Sequence, residues 1–184
     1  MNDRAPDYKD REEILIRTLH PDEWEAYKKL RLEALQTEPQ AFATLYADAL
    51  QTPDASWRER LERVETTQES WMLFADSGGT LVGMVAAYTR EPGVVEIVSV
   101  YVTASMRGRG ISRLLMEAIL GEIVANASVR RLTLTVNKSQ TIAVALYRSL
   151  GFQVTEEVVV PLGDGSLRCE YVMEKAAFGM PAKN

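Results

Sequence analysis

Residues 94–112 read VVEIVSVYVTASMRGRGIS, an apolar, β-branched run that gives way at once to an arginine and glycine turn. Val94 to Val102 has the composition of a strand. Strict alternation puts Glu96, Val98, Val100 and Val102 on one face and Val95, Ile97, Ser99 and Tyr101 on the other. A glutamate in such a strand needs a reason. The chain then turns through Arg107-Gly108-Arg109-Gly110-Ile111-Ser112 into an amphipathic helix whose Ile111, Leu115, Ala118, Ile119 and Ile123 share a face. Glycines permit left-handed backbone, and the first helical turn carries unpaired N–H groups at the positive end of its dipole. An anion such as a pyrophosphate suits that place, with Arg107, Arg109 and Arg113 adding charge. An exposed turn with solvated arginines is the plainer alternative. Two other phosphate loops do not fit: Gly110 is followed by Ile111-Ser112 rather than the Lys-Ser/Thr of a P-loop, and the dinucleotide fingerprint belongs near a first strand, not a fourth.

Upstream, Ile14 to Leu19 alternates as a short strand, and His20-Pro21-Asp22-Glu23 is a helix start. Trp24, Tyr27, Leu30, Leu32 and Leu35 follow at loose helical spacing, and Glu38-Pro39 ends the helix. A second helix over Pro53 to Val64 aligns Trp57 with Leu61, and Trp71 to Ala75 and Leu81 to Thr89 form a hairpin about Ser77-Gly78-Gly79. Downstream, Arg131 to Val136 is a strand, and Ser139 to Leu150 a helix aligning Ile142, Leu146 and Leu150 and stopped by Gly151. Phe152 to Pro161 and Leu167 to Glu174 close the pattern around Gly163-Asp164-Gly165. The order βααβββαβαββ implies an α/β (α+β) domain with a mixed, mostly antiparallel sheet of about seven strands flanked by helices. That domain is expected over residues 14–175, between a tail at 1–13 and another at 176–184.

The 184 residues suit one domain, and a formal charge of −5 with an isoelectric point near 5.1 argues against a nucleic-acid partner. The polar first residues do not resemble a signal peptide, and no apolar run approaches membrane-spanning length, so a soluble, cytoplasmic protein is expected without a membrane partner. Cys169, the single cysteine, excludes an internal disulfide and is expected to be a buried bystander. With His20 at a helix start as the single histidine, Cys-His catalysis carries little weight, and no metal is expected.

The loop resembles the acetyl-CoA signature of the GNAT N-acetyltransferases: Arg or Gln, two residues, Gly, one residue, then Gly or Ala. Arg107, Gly110 and Ser112 occupy those positions, and Ser112 departs from the usual small apolar residue. The likeness extends from Ile14 to Glu174 and takes in Val100-Tyr101-Val102, Asn137, and Ala145-Leu146-Tyr147-Arg148-Ser149-Leu150-Gly151-Phe152. It implies the GNAT fold, an acetyl-CoA cosubstrate, and a V-shaped opening where the fourth and fifth strands splay. In that opening the backbone of Val100, Tyr101 and Val102 meets the pantetheine arm, and residues 107–112 meet the pyrophosphate. Asn137 matches the residue that contacts cofactor or orients the tyrosine, although a turn residue beside Ser139 reads nearly as well. Tyr147 matches the tyrosine that donates to the departing CoA sulfur, against the alternative of a core tyrosine. Glu96 is the candidate base, its apolar neighbours expected to raise its pKa, with a strand-end glutamate paired to solvent or arginine as the alternative and Ser99 as second choice.

The implied reaction is direct attack, in a ternary complex, of a primary amine of a small molecule on the thioester. A peptide N-terminus or lysine as acceptor, and a non-catalytic acyl-CoA-binding module, stand as alternatives. The acceptor pocket is expected from Trp24 to Val64 and Val159 to Arg168. Exposed sheet edges make a homodimer a further expectation.

Overall fold

The computed structural model of the chain describes residues 13–161 and 167–177. The expected tails at 1–13 and 176–184 fall almost wholly outside these residues, as does the Gly163-Asp164-Gly165 turn. Strands β1 (Ile14–Arg17), β2 (Ser70–Ser77), β3 (Thr80–Glu91), β4 (Val94–Val102), β5 (Arg131–Asn137), β6 (Gln153–Pro161) and β7 (Leu167–Ala176) form one seven-stranded sheet in the order β1-β2-β3-β4-β5-β7-β6. Every pairing is antiparallel except β4 with β5, the pair joined through a helix, so the mixed sheet expected from the element order is what forms.

Helix α4 (Ile111–Val124) covers one face, burying Ile111, Leu115, Met116, Ile119, Leu120 and Ile123 against Val85, Val95, Ile97, Leu132 and Leu134. On the other face lie α1 (Trp24–Thr37) and α3 (Asp54–Thr66), whose Tyr27, Leu30, Trp57 and Leu61 pack on Phe74, Met84 and Tyr101. Tyr27 meets both Trp57 and Phe74 edge-on, at centroid distances of 5.3 and 5.6 Å. His20 opens the first helical segment as read: its Nδ1 accepts from the Asp22 amide, and Glu23 accepts from the His20 amide.

Several expectations are corrected. A short helix, α2 (Tyr46–Leu50), lies between α1 and α3, and a 3-10 turn over Pro39–Ala41 precedes it. Helix α5 (Thr141–Ser149) buries Val144 and Tyr147, while Ile142 is 88 % exposed, because the helix packs on the sheet by only a narrow stripe. Cys169 is exposed rather than buried. The most consequential correction lies in β4, where alternation fails: Val98 faces Ala86 but Tyr101 faces Met84, so Ser99 and Val100 together oppose Val85. This is a β-bulge, and Ser99 takes the positive φ of 59° that it needs. Glu96 and Val98 therefore share a face with Tyr101, whereas Val102, with Val100 packed beside it, joins the α4 side.

Candidate active site

The β4 and β5 ladder runs from Val94↔Arg131 to Ile97↔Leu134 and stops there. Beyond it, Thr135, Val136 and Asn137 pair with β7, while among the described strands Val98 to Val102 keep only β3 as a neighbour. Parallel strands that part in mid-sheet leave backbone and apolar side chains half-exposed, as Val98, Ser99 and Val100 are. The gap is a cleft of about 690 Å³, walled by residues 97–102 of β4, by Leu134 to Val136 of β5, by Ala143, Leu146 and Tyr147 of α5, and by the loop entering α4. The V-shaped opening expected from the resemblance is present.

At one end stands the arginine and glycine loop. Gly108 and Gly110 have φ of 75° and 80°, the left-handed region, and Gly110 is the N-cap of α4 without a side-chain cap. A Cβ on either would meet nothing within 4 Å, so conformation rather than crowding demands glycine. The backbone N–H groups of residues 108–112 find no acceptor among the described residues. A run of free amides at a helix N-terminus suits the diphosphate of a CoA-type ligand. The arginines are less free than expected. Arg107 donates through Nε to the Val102 carbonyl (3.0 Å) and through Nη2 to Glu38 (2.8 Å), and Arg113 bonds Ser149 Oγ (2.7 Å). Arg109 is exposed and does not line the cleft.

Tyr147 lies at the other end, 7 % exposed, on the buried stripe of α5. Its place is fixed from behind: its carbonyl accepts from the Leu150 and Phe152 amides across Gly151, and its ring meets Phe152 edge-on. The hydroxyl has no hydrogen-bond partner among the described residues, yet it is not sealed from solvent, so it opens onto the cleft that the residue lines. Burial pushes its pKa up to about 12.

Glu96 sits one residue before the ladder ends, facing Thr133, and does not itself line the cleft. Its surroundings are polar rather than apolar: Tyr88 donates its hydroxyl proton to Oε2 (2.8 Å), and Arg90 approaches the same oxygen at 3.4 Å. Val98, the next residue on its face, does line the cleft. Asn137 serves the turn into α5, accepting at Oδ1 from the Ser139 amide and hydroxyl, both at 2.9 Å, and it borders a neighbouring hollow instead of the main cleft.

The Pro39–Ala41 turn, which sequence reading missed, lies over the opening. Glu38 and Ala41 line the cleft, Glu38 holds Arg107, and the Gln40 carbonyl accepts from the buried Arg168 of β7 (2.9 Å), itself paired with Glu170 (2.5 Å). The sequence signal is confined to Glu38-Pro39, which marks a helix end and says nothing of what the next turn covers.

A sequence model of the Acetyltransferase (GNAT) family matches residues 19–152, well over half the chain. The chain belongs to the GNAT acetyltransferase family. Membership makes acetyl-CoA its acyl donor. Among solved structures, a GNAT-family acetyltransferase from Streptococcus pneumoniae aligns with a TM-score of 0.79 at 22 % identity, over 89 % of this chain and 99 % of that one. YncA from Salmonella typhimurium, a putative acetyltransferase solved with its cofactor acetyl-CoA, aligns at 0.77 and 18 %, over 94 % and 98 %. A ribosomal-protein-alanine N-acetyltransferase from Brucella melitensis aligns at 0.74 and 24 %, over 88 % and 99 %. At these identities the likeness shows the fold, the GNAT sheet with its flanking helices.

Proposed function

We propose that the chain is an N-acetyltransferase that passes the acetyl group of acetyl-CoA to the primary amine of a small molecule by direct attack in a ternary complex. The observation that carries this reading is the open ladder beyond Ile97↔Leu134, with the free Tyr147 hydroxyl facing the same cleft. In that geometry the amides of residues 108–112 hold the diphosphate, and the unpaired edge of β4 around Val100 takes the pantetheine amides as an added strand would. The Val102 carbonyl is already engaged by Arg107, which leaves Val100 as the open rung. The thioester then lies near the Ser99 bulge.

The nitrogen attacks the thioester carbon, a C–N bond forms, the C–S bond breaks, the amine loses a proton and the sulfur gains one. Glu96 takes the amine proton through a water. Tyr147 meets the leaving sulfur. A phenol near pKa 12 facing a thiolate of ordinary thiol pKa ~8.5 would surrender its proton uphill by roughly 5 kcal/mol. Tyr147 therefore acts as a neutral hydrogen-bond donor that stabilises the developing thiolate, and the sulfur takes its proton from solvent water as CoA departs.

The reading is tested by incubating the protein with acetyl-CoA and a panel of small amines, peptides and lysine-containing proteins, and following products by mass. Acetylated small amines are expected. Modification of peptides alone would move the acceptor to protein N-termini or lysines, and binding of acetyl-CoA without any product would make the chain an acyl-CoA-binding module.

A further inference from the structure

Three arginines among the described residues are withdrawn from solvent: Arg17, Arg31 and Arg168. Arg17 holds Glu23 and Asp76, and Arg168 holds Glu170. Arg31 holds no carboxylate among the described residues. Its guanidinium lies over the Phe42 ring at 4.5 Å and spends one N–H on Ser99 Oγ at 3.2 Å, and its remaining donors have no described protein acceptor. A half-buried cation without a counter-ion is costly unless something else supplies the charge. Burial lowers its pKa, Tyr27 works against that, and the like charge of Arg60 adds to it. Both guanidinia lie on the α1 and α3 face of the sheet, where Arg60 stacks on Trp57, opposite the α4 face.

The place is as telling as the charge. Ser99 is the bulge residue, it lines the cleft, and it lies two residues beyond the last β4 to β5 pairing. Glu38, the acid lining the same cleft, is already neutralised by Arg107, and Glu33 accepts the Tyr101 hydroxyl proton at 2.9 Å. We propose that Arg31 is a specificity-determining residue that binds the carboxylate of the acceptor, which is a free amino acid or a closely similar small amine bearing an acid group. This rests on the reading of the Ser99 bulge as the place where the amine meets the thioester. Attack requires the reacting atoms to come within ~3–3.5 Å, so an anion held at Arg31, in contact with Ser99, belongs to the same small molecule as the nitrogen and lies few bonds from it. An α-amino acid meets that requirement, whereas the amine of a protein lysine has no free carboxylate so near, and a peptide N-terminus has one only where its first residue is Asp or Glu. Guanidinium is the side chain suited to such recognition, because its planar fork matches a carboxylate in two parallel bonds.

The test is equilibrium binding, by calorimetry, of the common amino acids and of their carboxamides to the protein saturated with CoA, with acetyl transfer from acetyl-CoA followed separately. At least one free acid is expected to bind about tenfold or more tightly than its carboxamide, and Arg31→Gln to abolish that ratio. Ser99→Ala, which cuts the tie between Arg31 and the bulge but leaves the charge, is expected to keep the ratio. Arg31→Lys, which retains the charge without the fork, should keep part of it. Equal binding of acids and amides, binding of no amino acid, or loss of the ratio in Ser99→Ala as fully as in Arg31→Gln would each overturn the inference. Acid-selective binding without any transfer would support Arg31 as the carboxylate site and sink the transferase reading instead.

Discussion

Tyr147 carries two consequences that separate it from an ordinary core tyrosine. Removing its hydroxyl should lower kcat by on the order of 10² with little change in the KM for acetyl-CoA, measured by steady-state kinetics of Tyr147→Phe. A core tyrosine would alter stability and leave kcat alone. Burial also holds the folded phenol protonated up to about 12, whereas in the unfolded chain it ionises near 10. Between those values the folded state binds the extra proton, so stability falls as pH rises; this contribution is complete below about pH 10 and lost by about pH 12. Tyr147→Phe should flatten that stretch of the alkaline unfolding curve, although Tyr88 and Tyr101, also raised by burial, contribute to the same limb. Glu96→Gln should lower kcat/KM by roughly 10²-fold, because the amide cannot take the proton even though it can keep the Tyr88 contact. An unchanged rate would leave Glu96 as a partner of Tyr88 and Arg90 alone.

Among the elements, β3, β4 and α4 meet closely at Gly83. A Cβ there would come within 3.0 Å of the Tyr101 carbonyl and 3.1 Å of a Leu115 methyl, and the carbonyl cannot move without shifting β4 beside the cleft. Gly83→Ala should therefore cost about 1–3 kcal/mol, seen as a Tm lower by several degrees. The strands, and the core faces of α3 and α4, were legible as alternation and helical spacing because both depend on local pattern. The bulge was not. It is a property of register, set by Met84 and Ala86 on the neighbouring strand, and it moved Val102 from the face of Glu96 to the face of α4. The exposure of Ile142 and Cys169 escaped for a similar reason, since each is decided by what lies across from the element and not by the element itself. The site was half legible: the arginine and glycine loop shows as a turn between strand and helix and Tyr147 through the family resemblance, whereas Arg31, which bonds the cleft residue Ser99 from behind, and the Pro39–Ala41 turn are placed only by the folded packing of α1 against the sheet.

At the scale of the whole molecule, the sheet is divided between one continuous half, β1 to β4, and another, β5 to β6, joined along only four residue pairs. A ligand that spans the split should brace both halves. Acetyl-CoA at a hundred times its Kd should stabilise the fold by about 2.7 kcal/mol, raising Tm by roughly 5–10 °C in a chain of this size. Hydrogen exchange should slow at residues 98–102 and 108–112, where amides lacking a β5 partner or any protein acceptor become bonded. The central claim, that this cleft performs acetyl transfer, is tested most directly by release of the CoA thiol from acetyl-CoA in the presence of amino-acid acceptors. The wild-type chain should release thiol only when an acceptor is present, and Tyr147→Phe should bind acetyl-CoA with unchanged affinity but release thiol about a hundredfold more slowly. Acceptor-independent release, or equal rates in the two proteins, would contradict the account.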